Sequence, residues 1–143
     1  MREAMFDPHA PGTNLPNTQC TIYQEIAKIA SVMRNTEALR FGRMYFRQIS
    51  GHGVNFGLPF GHEFTPAFSR ILLPREVLVA YNVSDRRRQD HVVVAAESHA
   101  AGDRLKVLYG GPAGHPDVVV QRNADDTHHV QLNLAPRQFV ILS

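Results

Sequence analysis

Tryptophan is absent from this chain of 143 residues, and cysteine occurs only once. A single cysteine, Cys20, excludes a disulfide within the chain. Cys20 also has no nearby histidine and acid of the kind that activate a thiol, so a small packing residue is the better interpretation. Long apolar runs are missing too. The longest, such as 77–81 and 92–96, span five residues, whereas a membrane-spanning helix needs about 20. The sequence therefore predicts no membrane contact.

A recognisable leader is also lacking. Residues 1–8 contain no apolar stretch long enough for the core of a signal peptide. This says little about the compartment if the true N-terminus lies elsewhere, so a cytoplasmic and a secreted location both remain open.

The charge balance is nearly even, with a formal net charge of +2 and a sequence pI of about 9.0. The densest basic run is Arg86-Arg87-Arg88, which lies between two apolar stretches and is flanked by Asp85 and Asp90. A nucleic-acid partner would need a broad basic face or aromatic platforms. The run is better interpreted as a solvated hairpin loop, and no nucleic-acid partner is predicted.

Eight histidines raise the question of a metal, but their spacing does not favour one. His128 and His129 are adjacent on a predicted strand and should point to opposite faces of its sheet. His52 and His62 lie ten residues apart in a glycine-rich loop without a cysteine or clustered acids nearby. No calcium loop of alternating acids occurs either. The prediction is no metal site and no cofactor.

The first 42 residues are predicted to form loop and helix. Pro8, Pro11 and Pro16 exclude regular structure near the N-terminus. A helix should follow, capped by Thr18 or Thr21 and carrying one apolar stripe at a period of 3.6 residues, formed by Ile22, Ile26, Ile29 and Met33. A short second helix over 36–41 should end at Gly42, a residue type that commonly terminates helices.

From Arg43 onward the apolar period changes to two, as in 104–109 and 129–134. The runs 76–83 and 91–96 are more continuous and suit strands buried on both faces. Turn signals recur about every ten residues with no helical stretch between them. The expected fold is therefore mainly β: an antiparallel β-sandwich of Greek-key type, preceded by a loop and one amphipathic α-helix.

The apolar stripe of the helix needs a partner. Full burial of one such side chain is worth about 1.5–3 kcal/mol, and four left in water would form an adhesive patch. The stripe should pack against the sandwich, against a second copy, or against a part absent from this chain.

Several segments, taken in order, resemble the end of the catalytic region and the C-terminal domain of the α-amylase superfamily of glycoside hydrolases. Residues 2–6 resemble the segment after the eighth barrel strand, and 22–29 resemble the last barrel helix. Residues 37–43 resemble the link to the C-terminal domain, and 67–72 with 76–82 resemble a strand pair of that domain. From about residue 84 the match is to a pattern of strands only.

The resemblance implies two parts: 1–42 as the end of the (β/α)₈ barrel, with the loop after its last strand and its last helix, and 43–143 as the C-terminal all-β domain. The implied role is non-catalytic, since the family's paired carboxylates lie on barrel strands before the matched stretch and none is found here. The domain would pack on and stabilise a parent barrel that hydrolyses, or transglycosylates, α-glucosidic bonds. Arg2 and Glu3 would follow the eighth strand at the barrel's rim, where a structural salt link is favoured over lining the substrate cleft. The stripe Ile22, Ile26, Ile29 and Met33 would face the barrel.

Two other functions remain open. A free-standing carbohydrate-binding module would use exposed aromatic rings, and Phe56, Phe60 and Phe64 are the only plausible exposed cluster, although packing under their loop is favoured. Weak contact with α-glucan is therefore possible, and tight saturable binding of maltooligosaccharides would favour this alternative. An oligomerising scaffold would use the helix stripe, and we expect the chain either to self-associate or to pack its first 35 or so residues differently than in a barrel.

Overall fold

The structure, a computed structural model, describes residues 21–61, 63–111 and 117–143. The N-terminal loop, Arg2, Glu3 and Cys20 lie outside the described residues. The chain forms two compact units, Met1–Asn35 and Thr36–Ser143. The predicted boundary between 42 and 43 stays a prediction about the parent protein.

In the first unit, helix α1 spans Thr21–Asn35, as its apolar period predicts. Ile22 and Ile26 are 74% and 60% exposed, Met33 is also exposed, and Ile29 is half-buried. None of the described residues of α1 is buried. Within the described part of the chain, no helix combines the length and apolarity needed to cross a membrane.

The second unit is the predicted β-sandwich. It begins with the short helix α2, Glu37–Phe41, and its described residues then form ten strands. The strands are β1 Arg43–Phe46, β2 Ile49–Ser50, β3 Ala67–Leu72, β4 Arg75–Tyr81, β5 Arg88–Val93, β6 Arg104–Leu105, β7 Val107–Tyr109, β8 Val118–Arg122, β9 His128–Leu134 and β10 Phe139–Leu142. The first sheet has the order β1-β3-β4-β10-β7 and the second β2-β5-β9-β8-β6. Every strand pair is antiparallel, which confirms a mainly β fold of two antiparallel sheets plus a helix.

The core forms where the alternating apolar residues of the two sheets meet. On β9, Val130, Leu132 and Leu134 are buried in this core, and Leu78 of β4 is fully buried there. Residues 76–80 of β4 are all buried, as the continuous apolar run predicts, and α2 contacts β3 and β4. On β5, burial alternates more than the sequence indicates, because one face of this strand lies at the outer side of the second sheet.

The alternating stretch 104–109 forms two short strands, β6 and β7, in different sheets. Leu105 pairs with Val118 in the second sheet, whereas Val107 pairs with Leu142 in the first, so the chain changes sheets at Lys106. Backbone hydrogen bonds of 2.7 and 2.9 Å join Lys106 to Ser143 at the crossing. The alternation of apolar residues continues across this point, and a period of two does not reveal which sheet a strand joins.

Candidate functional site

Exposed apolar side chains cluster at one edge of the first sheet. They come from the end of α2, from β1 and from the end of β3 with the turn after it, and we call this edge the apolar edge face: Phe41, Met44, Tyr45, Phe46, Leu72 and Leu73. Along β1 the side chains alternate, so Met44 and Phe46 lie on the opposite side of this edge from Tyr45. Phe46 and Leu73 are 74% and 75% exposed. Soluble monomers rarely leave large neighbouring apolar side chains in water, and such patches often mark interaction surfaces.

Gly42 sets the direction in which the chain enters this edge. Its N–H donates a hydrogen bond of 2.9 Å to the carbonyl of Ala38, which ends α2. A Cβ at Gly42 would lie 2.5 Å from that oxygen and 2.9 Å from the backbone of Ile71. The φ of Gly42 is −64°, so glycine is required here by lack of space and not by a left-handed backbone.

The strand that follows, β1, lies at the end of its sheet, and among the described strands it pairs with β3 alone. All four of its residues are exposed, including Met44, Tyr45 and Phe46. Uncovered edge strands offer unpaired backbone groups to other chains, and proteins usually protect them with charge, proline or a covering element. An apolar edge strand of this kind is typical of a surface that another element covers.

A groove of about 590 Å³ runs beside β1. Phe41, Tyr45 and Leu73 contribute apolar walls, and Arg43 and Glu97 add charge at its margin. The groove is shaped to receive an apolar side chain or a short segment bearing one, and it is continuous with the apolar edge face because both include Phe41 and Tyr45.

A buried ionic network lies below this groove. Glu76 of β4 has a fully buried carboxylate, and an Arg47 guanidinium nitrogen donates to its Oε1 at 2.6 Å. The Ser69 hydroxyl also donates to Oε1, and the N–H of Ala95 donates to Oε2 at 2.8 Å. Nε of Arg47 in turn donates to Ser69 at 2.7 Å. The network ties β3, β4 and the segments after β1 and β5 together, so it fixes the base on which the apolar edge face rests.

His99 adjoins the same carboxylate without joining the network. Its Nε2 lies 3.4 Å from Oε2 of Glu76, but no hydrogen bond connects them. Burial lowers the pKa of His99 below its usual 6.5, although Glu76 and Asp103 act to raise it and Arg47 lowers it further. His99 is therefore mainly neutral near pH 7, and Arg47 supplies the positive charge that balances Glu76.

A second groove, of about 560 Å³, lies under the long loop before β3, and we call it the loop groove. Leu58 and Phe60 line it together with Glu63 and Arg88. The expected packing of the three phenylalanines under the loop is wrong for Phe60, which is 90% exposed. Phe56 and Phe64 are half-buried, and the Phe56 ring lies 5.3 Å from that of His129.

The histidines behave largely as the sequence indicates. His128 and His129 do point to opposite faces: the ring of His128 lies 2.8 Å from the carbonyl of His99, whereas His129 contacts Phe56 and His91 on the outer face of its sheet. In the described ranges, no group of three or more histidines, cysteines or acids is placed to hold a metal ion.

The predicted site residues fall into two groups. Arg2 and Glu3 lie outside the described residues. Ile22 and the other stripe residues lie on α1 in the first unit, and their predicted contact with a barrel stays a prediction. Sequence reasoning missed the apolar edge face and Glu76. Two signals in the sequence could have revealed them. Met44 to Phe46 are three consecutive large apolar residues, which break the alternation, and Glu76 is an acid at the start of a continuous apolar run.

Comparison with known proteins supports the fold. No protein-family model and no curated protein matches the sequence. Two solved structures of a debranching enzyme from Nostoc punctiforme share its architecture, with TM-scores of 0.56 and 0.58 at 19% and 20% sequence identity. In each case the match covers 85% of this chain and 21% of the enzyme, so the chain spans about a fifth of the enzyme's length. At this identity the likeness shows that this chain has the fold of one part of these debranching enzymes.

Proposed function

We propose that this chain is the end of an α-amylase-like glycoside hydrolase, a non-catalytic β-sandwich that packs on the parent's catalytic barrel and stabilises it. The parent reaction would be hydrolysis, or transglycosylation, of α-glucosidic bonds. Two independent features support the proposal: the sequence resemblance, which extends from 2–6 to 76–82, and the fold likeness to part of a debranching enzyme.

The observation that carries the proposal is the apolar edge face. Full burial of an exposed Phe, Leu or Met side chain is worth about 1.5–3 kcal/mol, so covering Phe46 and Leu73 alone would stabilise an assembly substantially. The partner must have a complementary apolar surface, which the outer helices of a barrel can offer. The buried Arg47–Glu76 network next to this edge suits a structural role, because it ties together the strands that carry the exposed side chains.

The buried acid beneath the groove, Glu76, has a structural explanation. Glu76 is enclosed by donors from Arg47, Ser69 and Ala95, which leaves it no access to a substrate. A retaining glycosidase needs two carboxyl groups about 5 Å apart that flank an open cleft. A role in which the catalytic acids come from the barrel is therefore the simpler assignment.

Reading the coding DNA upstream of Met1 tests the proposal first. We expect a continuous reading frame for a (β/α)₈ barrel with paired acids at the ends of its strands. The barrel portion, produced separately, should then bind this chain in sedimentation experiments. A reading frame that encodes no barrel would overturn the proposal.

Two substitutions with the same chemistry sharpen the binding test. Phe46→Glu places a charge on the apolar edge face and should weaken binding of the barrel at least tenfold. Val119→Glu makes a similar change at an exposed apolar residue on β8 in the other sheet and should leave binding within twofold. Equal effects of the two substitutions would show that the apolar edge face is not the contact.

A carbohydrate-binding module is the second candidate, and the exposure of Phe60 favours it. An exposed aromatic ring beside Glu63 and Arg88 has the composition of a sugar-binding surface, in which the ring supports the sugar and charged groups bind hydroxyls. Calorimetric titration with maltoheptaose separates the two functions. Saturable binding that Phe60→Ala abolishes would favour the module, and absence of binding favours the packing role.

A further inference from the structure

Two histidines meet on the outer face of the second sheet. His91 of β5 lies between buried Asp90 and Val92, and His129 of β9 precedes buried Val130, so alternation turns both imidazoles away from the core. Their Nδ1 atoms are 3.2 Å apart, and the ring centroids are 5.0 Å apart in an edge-to-face arrangement. The contact is a hydrogen bond only when one Nδ1 carries a proton and the other offers its lone pair.

Residues 51–57 cover this pair, and we call them the cover segment. Gly53, with a φ of +72°, lies so close to His91 that a Cβ would be 3.0 Å from Nδ1. The ring of Phe56 contacts His129, which is only 4% exposed. Hydrogen bonds of 2.8 and 3.0 Å between Ile49 and Gly57 close the far end of the segment. The segment therefore rests directly on the two imidazoles.

The surroundings of His91 favour its neutral form. Burial lowers its pKa, and His52 of the cover segment lowers it further, while Asp90 acts in the opposite direction. The Asp90 carboxylate already accepts hydrogen bonds from Arg88 at 2.9 and 3.1 Å and from Thr65. The negative charge of Asp90 is therefore paired mainly with Arg88, on the opposite side of the sheet from the His91 ring.

His129 is in a similar position. Burial lowers its pKa most, His91 and His128 lower it further, and Asp125 in the β8–β9 turn raises it. On the adjacent strand β8, Arg122 forms an ion pair with that turn and adds no negative charge near the ring. Both imidazoles are therefore mainly neutral near pH 7, and acidification removes the 3.2 Å contact as a hydrogen bond only when both Nδ1 atoms carry a proton.

Protonation of both rings would direct two N–H groups at each other and bring two positive charges close together. His129 is 4% exposed and His91 is half-buried, so water screens the two charges less than it would at the open surface. The simplest relief is to move the cover segment and to let water reach the rings. Among the described residues, the hydrogen bonds that hold this segment go to Ser50, Ile49 and Asn123. The strands below it are held by continuous ladders and need not change.

We propose that the His91–His129 pair is a pH-sensitive latch, whose protonation in mildly acidic solution releases the cover segment from the outer face of the second sheet while the sandwich stays folded. The closed form binds fewer protons than the open form, so acidification shifts the population towards the open form. If closure lowers the pKa of one ring by one unit, protonation of that ring raises the open-to-closed ratio about tenfold.

Release would also change the loop groove. Gly51, Asn55, Phe56 and Gly57 of the cover segment line that groove together with Phe60. The latch thereby links the protonation of two histidines to the shape of a surface cavity. This inference concerns the sandwich alone and does not depend on the barrel proposed above.

Amide hydrogen exchange, followed by NMR between pH 7.5 and 4.5, tests the latch. The N–H groups of Gly53 and Gly57 are suitable reporters, since they donate to Ser50 and Ile49 in the closed form. After correction for the intrinsic pH dependence of exchange, their protection should fall at least tenfold over this range. The amides of β5 and β9 should keep theirs. The midpoint should coincide with the titration of the two imidazoles, read from their ring proton shifts.

His91→Gln keeps a hydrogen-bonding side chain at the site but removes its titration. The pH dependence of the two reporter amides should then shrink to less than twofold. His52→Gln removes a histidine from the cover segment itself without touching the pair, and it should retain most of the tenfold change. The latch is wrong if wild-type protection is constant across the pH range, or if His91→Gln responds to pH as the wild type does.

Discussion

The buried ionic network allows one prediction with a worked magnitude. Glu76→Gln keeps the size of the side chain but removes the negative charge, and its amide group must now face the N–H of Ala95 or the guanidinium of Arg47. Removing one partner of a buried pair costs about 3–5 kcal/mol when the other charge stays buried. The Arg47 side chain is 14% exposed, so water can partly solvate it, and we expect a loss of about 2–4 kcal/mol.

Urea unfolding followed by far-UV circular dichroism at pH 7 measures this loss. For a urea dependence of about 2 kcal/mol per molar, the midpoint should fall by about 1–2 M. The chain contains a matched control, because Glu37 forms an exposed ion pair with Arg75 at 3.6 Å. Glu37→Gln should change the free energy of unfolding by less than about 0.5 kcal/mol. The reasoning fails if Glu76→Gln is equally mild, or if Glu37→Gln is equally severe.

Four further outcomes are expected. Gly42→Ala should destabilise the fold by about 1–3 kcal/mol in urea unfolding, since its Cβ has no room, while Gly57→Ala, with open space around it, should be nearly neutral. Leu78→Ala should cost about 2–5 kcal/mol, as this side chain is fully buried in the core. Ile26→Glu should raise solubility and the monomer fraction in sedimentation if the helix stripe is exposed in solution, and lower the melting temperature if the stripe is buried in the monomer. Lowering the pH below about 6.5 should reduce the free energy of unfolding, because the unfolded chain takes up the proton that folded His99 resists, and His99→Gln should flatten that slope.

Each of these has a contradicting result. A stable Gly42→Ala variant would mean that the turn after α2 can move away from β3. A Leu78→Ala variant that loses less than about 1 kcal/mol would contradict the packing described for the core. An Ile26→Glu variant that changes neither solubility nor melting would indicate that the stripe has no role in association or folding. A pH slope that survives His99→Gln unchanged would assign the acid sensitivity to other groups.

Local periodicity was enough to predict most of the elements. The 3.6-residue spacing of Ile22, Ile26, Ile29 and Met33 gave α1, and the spacing of two along 129–134 gave β9, because each pattern records which side of one element faces an apolar neighbour. The same logic correctly placed His128 and His129 on opposite faces. The alternation of apolar residues does not specify which sheet a strand joins. At Lys106, two short strands in different sheets continue a single alternation.

The sequence by itself determined the class of the fold and the two kinds of structure in the chain, since both follow from residues close together along it. Tertiary structure decided everything that depends on distant partners. Arg47 reaches Glu76 across 29 positions, and His91 reaches His129 across 38. Only the order of the strands brings those pairs together, and only the position of β1 at the end of its sheet leaves Met44, Tyr45 and Phe46 uncovered. The physical reason is that burial and charge pairing depend on which elements pack against each other. The pattern along the chain specifies only which side of each element faces an apolar neighbour.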